Sequence, residues 1–203
     1  MKEMLKNTLI LLIITVVAGA LLGVVNENTK GIIAQREAED KKAAYKEVFT
    51  SAADFRSKEA FMDDIIRAKL SENGFAAESI DELCEALDQS GSVLGYVFTI
   101  TTHEGYGGDI VFTMGIKNDG TVNGISILNI SETAGLGMEA DKVLKPQFAG
   151  KNVESFIYTK TGAAADNEID AISGATITTN AITNGVNCGL YYFNNYLGGA
   201  DHE

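Results

Sequence analysis

The chain is poor in the residues that most often carry chemistry. It has two cysteines, two histidines and one proline among 203 residues. Cys84 and Cys188 stand alone, with no Cys-x-x-Cys unit, so an iron–sulfur cluster or a zinc site of the usual spacing is not expected. Spacing alone does not say whether the two are bridged. His103 and His202 are too few for a histidine metal site, and neither belongs to a visible hydrolytic triad. Asp109, Glu132 and Asp170 are carboxylates without an evident catalytic pair, so no catalytic residue and no metal ligand is assigned. With Pro146 as the sole proline, turns must rely on Gly, Asn and Asp. Basic residues are also scarce, and the net charge of −12 argues against nucleic acid as a partner, since phosphate backbones demand a basic face.

Charge is missing altogether from residues 7–26. As a helix these residues would span roughly 30 Å, the thickness of a bilayer hydrocarbon core. The rival is a cleaved signal peptide, for which Ala18-Gly19-Ala20 would serve as the cleavage site. The apolar run continues past it through Leu21, Leu22, Val24 and Val25, which favours a retained single-pass anchor with membrane lipid as its surroundings. Lys2 and Lys6 lie on one side of the run and Lys30, Arg36, Lys41 and Lys42 on the other, so counting basic residues does not orient it.

Three segments are expected: a tail and transmembrane helix at 1–26, a juxtamembrane helical segment at 27–90, and a globular domain at 91–203. Within the second, Phe61, Ile65, Ile66 and Leu70 show helical spacing over 58–70, and Ile80, Leu83 and Leu87 show it over 78–89. The third opens with runs rich in β-branched and aromatic residues at 95–101, 109–116 and 121–128. Asn118-Asp119-Gly120 supplies a tight turn between the last two. Consecutive strands so joined predict an antiparallel meander, and with the helices around it the fold class is α+β. A Gly-rich loop, Ser131-Glu132-Thr133-Ala134-Gly135-Leu136-Gly137-Met138, leads into a short helix at 139–148. Its glycines would let a flat ring lie against the backbone, though a loop that merely turns the chain would look the same. Residues 151–169 read as a connection, in which Lys160 is most simply a surface lysine.

The most specific stretch is Asp170-Ala171-Ile172-Ser173-Gly174-Ala175-Thr176, followed by Ile177-Thr178-Thr179-Asn180. Beyond it Ile182, Val186, Leu190, Phe193 and Leu197 form a helical stripe over about 178–197. Small residues where that helix begins would let a bulky group approach. The free N–H groups and the dipole there favour an anion. Ser and Thr in the same place are also ordinary N-caps.

The pattern Asp-x-x-Ser-Gly-Ala-Thr, with Gly105-Tyr106-Gly107-Gly108, the strand–turn–strand unit and Glu132 to Gly137, resembles the FMN-binding subunits of two membrane complexes. These are the G subunit of the Rnf electron-transport complex and the C subunit of the sodium-translocating NADH:quinone reductase. The resemblance implies FMN joined by a phosphodiester to Thr176. It implies cofactor contacts from Ser173, Gly174, Ala175, Thr178 and Thr179 on the helix side, and from Glu132, Thr133, Gly135, Leu136 and Gly137 on the loop side. Ala134 stands where the family has proline. No base is visible beside Thr176, so the resemblance further implies a separate flavin transferase, which would recognise Asp170, Ser173 and Gly174. It also implies a cytoplasmic N-terminus, the domain outside the cytoplasm, and partner subunits in an ion-translocating ferredoxin:NAD oxidoreductase. The short chain favours the Rnf subunit over the quinone-reductase one. The alternatives from other classes are a tethered module that binds a phosphate ligand without a covalent bond, and a structural tether.

Overall fold

In the computed structural model, residues 1–198 are described; His202 and the polar tail lie outside the described residues. The chain divides into two compact units, residues 1–42 and 43–203. Helix α1 (Lys2–Val48) is one uninterrupted helix. It holds the one stretch, among the described residues, long and apolar enough to cross a membrane, with a mean hydropathy of 2.8 and none of that window buried.

The second unit is built on a five-stranded antiparallel meander in the order β1 (Asp54–Ser57), β2 (Glu78–Leu87), β3 (Val93–Thr102), β4 (Ile110–Lys117), β5 (Val122–Asn129). The turn at Asn118–Gly120 closes as expected, with Gly120 at φ +83° and its N–H on Lys117 O at 3.0 Å. Helix α2 (Asp64–Glu72) lies between β1 and β2 in the chain and is capped by Asp63, whose carboxylate accepts from Ile66 N at 2.7 Å.

Two expectations for the upstream segment are corrected. Residues 78–89 do not form a helix; Glu78–Leu87 is the second strand of the sheet. The domain therefore does not start at residue 91, because β1 and β2 pair into the same sheet. The helical spacing of Ile80, Leu83 and Leu87 has a physical cause. The β2–β3 register shifts between Ile80 and Glu82 and again between Ala86 and Leu87, so bulges interrupt the alternation of two that would have marked a strand.

Both faces of the sheet are covered. Helix α5 (Thr176–Tyr196) lies on one, burying Ile182, Val186 and Leu190 against Ile100, Phe112, Met114 and Ile116. Gly185 and Gly189 bring it close: a Cβ at Gly185 would stand 2.8 Å from the Phe112 ring. The opposite face receives the last turn of α1 and the residue after it, where Tyr45, Val48 and Phe49 pack with Cys84, Ala86 and Val97. The Tyr45 hydroxyl bonds Thr99 Oγ1 at 3.0 Å, and Asn123 Nδ2 holds Val48 O at 2.5 Å. Gly95 and Gly115 leave the room that the Phe49 ring occupies.

After β5 the chain forms a 3-10 turn (Gly137–Glu139) and two short helices, α3 (Ala140–Val143) and α4 (Lys145–Phe148). The stretch expected as a plain connection contains two short parallel strands, β6 (Ile157–Thr159) and β7 (Glu168–Asp170). Asn187 of α5 secures this region, accepting from Phe156 N at 2.7 Å and donating to Phe156 O at 2.9 Å. Cys84 on β2 and Cys188 on α5 are both buried thiols, and burial pushes Cys188 up to about 12.

Candidate functional site

β7 delivers the chain to the start of α5. Gln147 of α4 grips Asp170 at both backbone atoms, with Nε2 to Asp170 O at 3.1 Å and Oε1 accepting from Asp170 N at 2.6 Å. The Asp170 carboxylate accepts from Ala163 N at 2.7 Å and so ties down the preceding loop. Ile172 then buries its side chain, and Ala175 N bonds back to Ile172 O at 3.0 Å. Gly174, at φ +76°, is the residue of that turn that must take the left-handed conformation.

The helix that follows begins at Thr176 with Ala175 at its N-cap position and no side-chain cap. An alanine cannot cap, so the capping reading of the Ser and Thr residues does not apply here. The first N–H groups of α5 are without intrahelical acceptors and carry the positive end of the dipole.

The three threonines of the first turn are in different situations. Thr179 is fully buried, donates to Ala175 O at 2.9 Å and accepts from Ile172 N at 3.1 Å, so it holds the turn together. Thr178 is buried and donates to Glu132 Oε2 at 2.9 Å. Thr176 is half-buried, and among the described residues its hydroxyl bonds to no protein group.

Glu132 is the joint of the site. Its other oxygen accepts from Gly107 N at 3.1 Å, so one carboxylate joins the Gly-rich 105–108 loop, the loop after β5 and the first turn of α5. The three are in close contact. A Cβ on Gly107 would collide with Ser131 O, one on Gly137 would lie 2.5 Å from Thr178 Oγ1, and one on Gly174 would lie 3.0 Å from Leu136 Cδ2.

These segments line an open cavity of about 550 Å³. That volume is within the usual size of small-molecule sites, roughly 300–1,000 Å³. Of the residues expected at the site, Thr176, Gly174, Ala175 and Thr178 line it from the helix, and Glu132, Thr133, Leu136 and Gly137 from the loop. Ser173, Gly135 and Thr179 do not line it. Tyr106 and Ile177, which sequence reasoning did not assign to the site, do line it. They are 71% and 52% exposed, and Leu136 and Met138 are also exposed. An aromatic residue set within a Gly-x-Gly-Gly run was the available signal for Tyr106. The lining is thus partly apolar and includes the start of α5, whose first N–H groups lack intrahelical acceptors, an arrangement suited to a flat aromatic ligand bearing an anionic group. Among the described residues no cluster could hold a metal ion.

Fold and site together define a protein with an α+β domain that carries a small-molecule cavity, and with a helix able to cross a membrane. A family model described as FMN-binding domain matches residues 105–190, and one described as RnfG N-terminal region matches residues 1–48. The G subunit of the Na⁺-translocating ferredoxin:NAD⁺ oxidoreductase complex of Acetobacterium woodii is 35% identical, over 96% of this chain and 93% of its own. The G subunit of the ion-translocating oxidoreductase complex of Methanosarcina acetivorans is 29% identical over 94% and 95%. Among solved structures, the C subunit of the Na⁺-translocating NADH-quinone reductase of Parabacteroides distasonis matches with a TM-score of 0.52 at 18% identity, covering 79% of this chain and 93% of that one, a likeness of fold. The chain belongs to the G-subunit family of Rnf-type ion-translocating oxidoreductase complexes.

Proposed function

We propose that the protein is the membrane-anchored electron-transfer subunit of such a complex and that it carries FMN on the Thr176 side chain through a phosphodiester. The observation that carries this reading is the contrast among the three threonines: Thr178 and Thr179 are committed to protein partners, whereas Thr176 lines the cavity and its hydroxyl has no partner among the described residues. The phosphate would meet the uncapped N–H groups of α5, with Gly174 leaving room beside it. Leu136, Ile177 and Tyr106 would offer apolar surface to the ring, and Glu132 would keep both loops and the helix in register around it. FMN, when bound, supplies one-electron chemistry, while burial and hydrogen bonding by the protein set the ease of its reduction.

Attachment needs an outside catalyst, because a threonine hydroxyl is a weak nucleophile and the nearby carboxylate of Glu132 is already engaged by Thr178. The fitting donor is FAD, acted on by a flavin transferase. The Thr176 oxygen attacks the phosphorus on the flavin side, the bond to AMP breaks, and AMP leaves as the hydroxyl proton is lost. Other members of the complex are the electron donor and acceptor. The N-terminus lies in the cytoplasm and the second unit outside it, where a covalent bond keeps the cofactor from being lost.

Protein purified from its own membrane tests the reading. After denaturation the wild type should keep flavin fluorescence and show an FMN adduct on the peptide containing Thr176. Thr176→Ala should lose both, and Thr178→Ala should retain the adduct. An unmodified Thr176 peptide with flavin that washes away would favour the noncovalent alternative instead.

A further inference from the structure

A second crevice, of about 520 Å³, lies between α2 and β2. Glu78 on its floor is 8% exposed, and its Oε2 is buried with no hydrogen-bond donor. The carboxylate's donors are the Thr102 hydroxyl, which reaches Oε1 at 3.4 Å, and the backbone at Ala77. The group that confronts it is Glu104, whose own Oε2 accepts from Asn180 Nδ2 at 3.3 Å and Asn184 Nδ2 at 2.7 Å, both on α5. Two ionised carboxylates are acceptors only and cannot satisfy one another, while one proton between them makes a charge-assisted hydrogen bond. Burial, and then the charge of Glu104, push Glu78 up to about 7.

The remaining charged groups around the pair do not replace that proton. Arg67 and Asp64 of α2 line the crevice, and Arg67 bonds neither carboxylate. His103, at the end of β3, is turned to Asp109 at 2.8 Å. Asp81 on β2 is engaged by Ser79 and Thr101. Cys188, facing from α5, stays a neutral thiol.

We propose that Glu78 and Glu104 form one proton-binding site, whose shared proton holds the 103–108 segment, and with it the Tyr106 wall of the cofactor cavity, against α5 at Asn180 and Asn184. The chain connections support this. Glu104 is two residues before Tyr106, which lines the cavity, and three before Gly107, whose N–H is held by Glu132. Asn180 is one helical turn beyond Thr176. With the proton gone, the buried charge of Glu78 and the half-buried charge of Glu104 repel across the junction of β2, the loop and α5, and the wall loosens. This site stands whether or not flavin is attached at Thr176.

The test uses the full-length protein in detergent. Infrared spectra of the wild type should show a protonated carboxyl band that disappears with a one-proton titration near neutral pH, and Glu78→Gln and Glu104→Gln should each lack it. In Glu78→Gln the new amide donates to Glu104 at every pH. Amide exchange in segment 104–108 should therefore match between wild type and Glu78→Gln below about pH 4.5, become faster in the wild type by up to about tenfold per pH unit between there and the titration near 7, and keep a constant excess above it. If Glu78→Gln does not fold, the infrared comparison with Glu104→Gln decides. A band that never titrates, or that persists in both variants, or exchange that is equal at all pH values, overturns the proposal.

Discussion

Gly137→Ala probes the joint between the site loop and α5 with one methyl group. Gly137 is buried and does not need the left-handed conformation, so alanine brings no backbone penalty and the effect is one of space. The new Cβ would stand 2.5 Å from Thr178 Oγ1, 2.6 Å from Glu132 Cβ and 2.8 Å from Glu132 Oε2. None of these atoms is the loose end of a flexible chain, because the hydroxyl and the carboxylate are bonded to each other at 2.9 Å and the carboxylate also holds Gly107 N. Relief requires breaking that joint or shifting the loop, and overpacking of this kind costs about 1–3 kcal/mol. At roughly 2–4 °C per kcal/mol for a domain of this size, the melting temperature of the detergent-solubilised protein should drop by about 2–12 °C. The cost has a stated origin and can be tracked in a double-mutant cycle. Thr178→Ala removes the nearest atom, so adding Gly137→Ala to it should cost about 0.5–1.5 kcal/mol less than in the wild type. A single variant within about 0.5 kcal/mol of wild type, or a cost unaltered by Thr178→Ala, would refute the account of how the loop and helix are locked.

Other variants address other joints. Gly185→Ala should destabilise by about 1–3 kcal/mol in urea unfolding, since its Cβ meets the Phe112 ring at 2.8 Å and 2.9 Å, whereas Gly189→Ala should cost less because its nearest neighbour is the mobile end of Met114. Asn187→Ala strips both partners from the Phe156 backbone and should cost about 1–3 kcal/mol, with faster amide exchange at 156–159. Burial pushes the Glu47 carboxyl up, but bonds from Lys145 and Ser126 and the Lys145 charge outweigh it and hold it below its ordinary 4.5. Its contribution is therefore present above that value and lost as pH falls through the folded one, so Glu47→Gln should flatten the acid side of a stability profile. Glu78 works in the opposite sense: its folded value is raised, so stability declines as pH rises from about 4.5 to about 7, and Glu78→Gln should remove that decline.

The parts of the fold that can be read from sequence are those where one local rule governs. β3, β4 and β5 carry β-branched residues and a glycine turn, and α5 shows an unbroken stripe that ends up on the sheet. β2 escapes such a reading because its two bulges give its core residues the spacing of a helix. β1 and β6 are four and three residues long, too short to display any period. At the site, the motif points to the start of α5 and to Glu132. What it cannot convey is which hydroxyl stays uncommitted, since Thr176, Thr178 and Thr179 are chemically identical and differ only in what the folded chain sets opposite each. The Glu78–Glu104 pair is equally hidden, because its members are 26 positions apart and meet only through the β2–β3 pairing.

The last turn of α1 has a practical consequence for anyone who wants this protein without detergent. Tyr45, Val48 and Phe49 are each at most 5% exposed and fill one side of the sheet. Burial of three such side chains is worth about 5–9 kcal/mol, of the order of a domain's whole stability. A truncated fragment beginning near residue 50 would leave Cys84, Ala86 and Val97 bare and should aggregate. One beginning just before residue 43 removes the greasy anchor and keeps the plug.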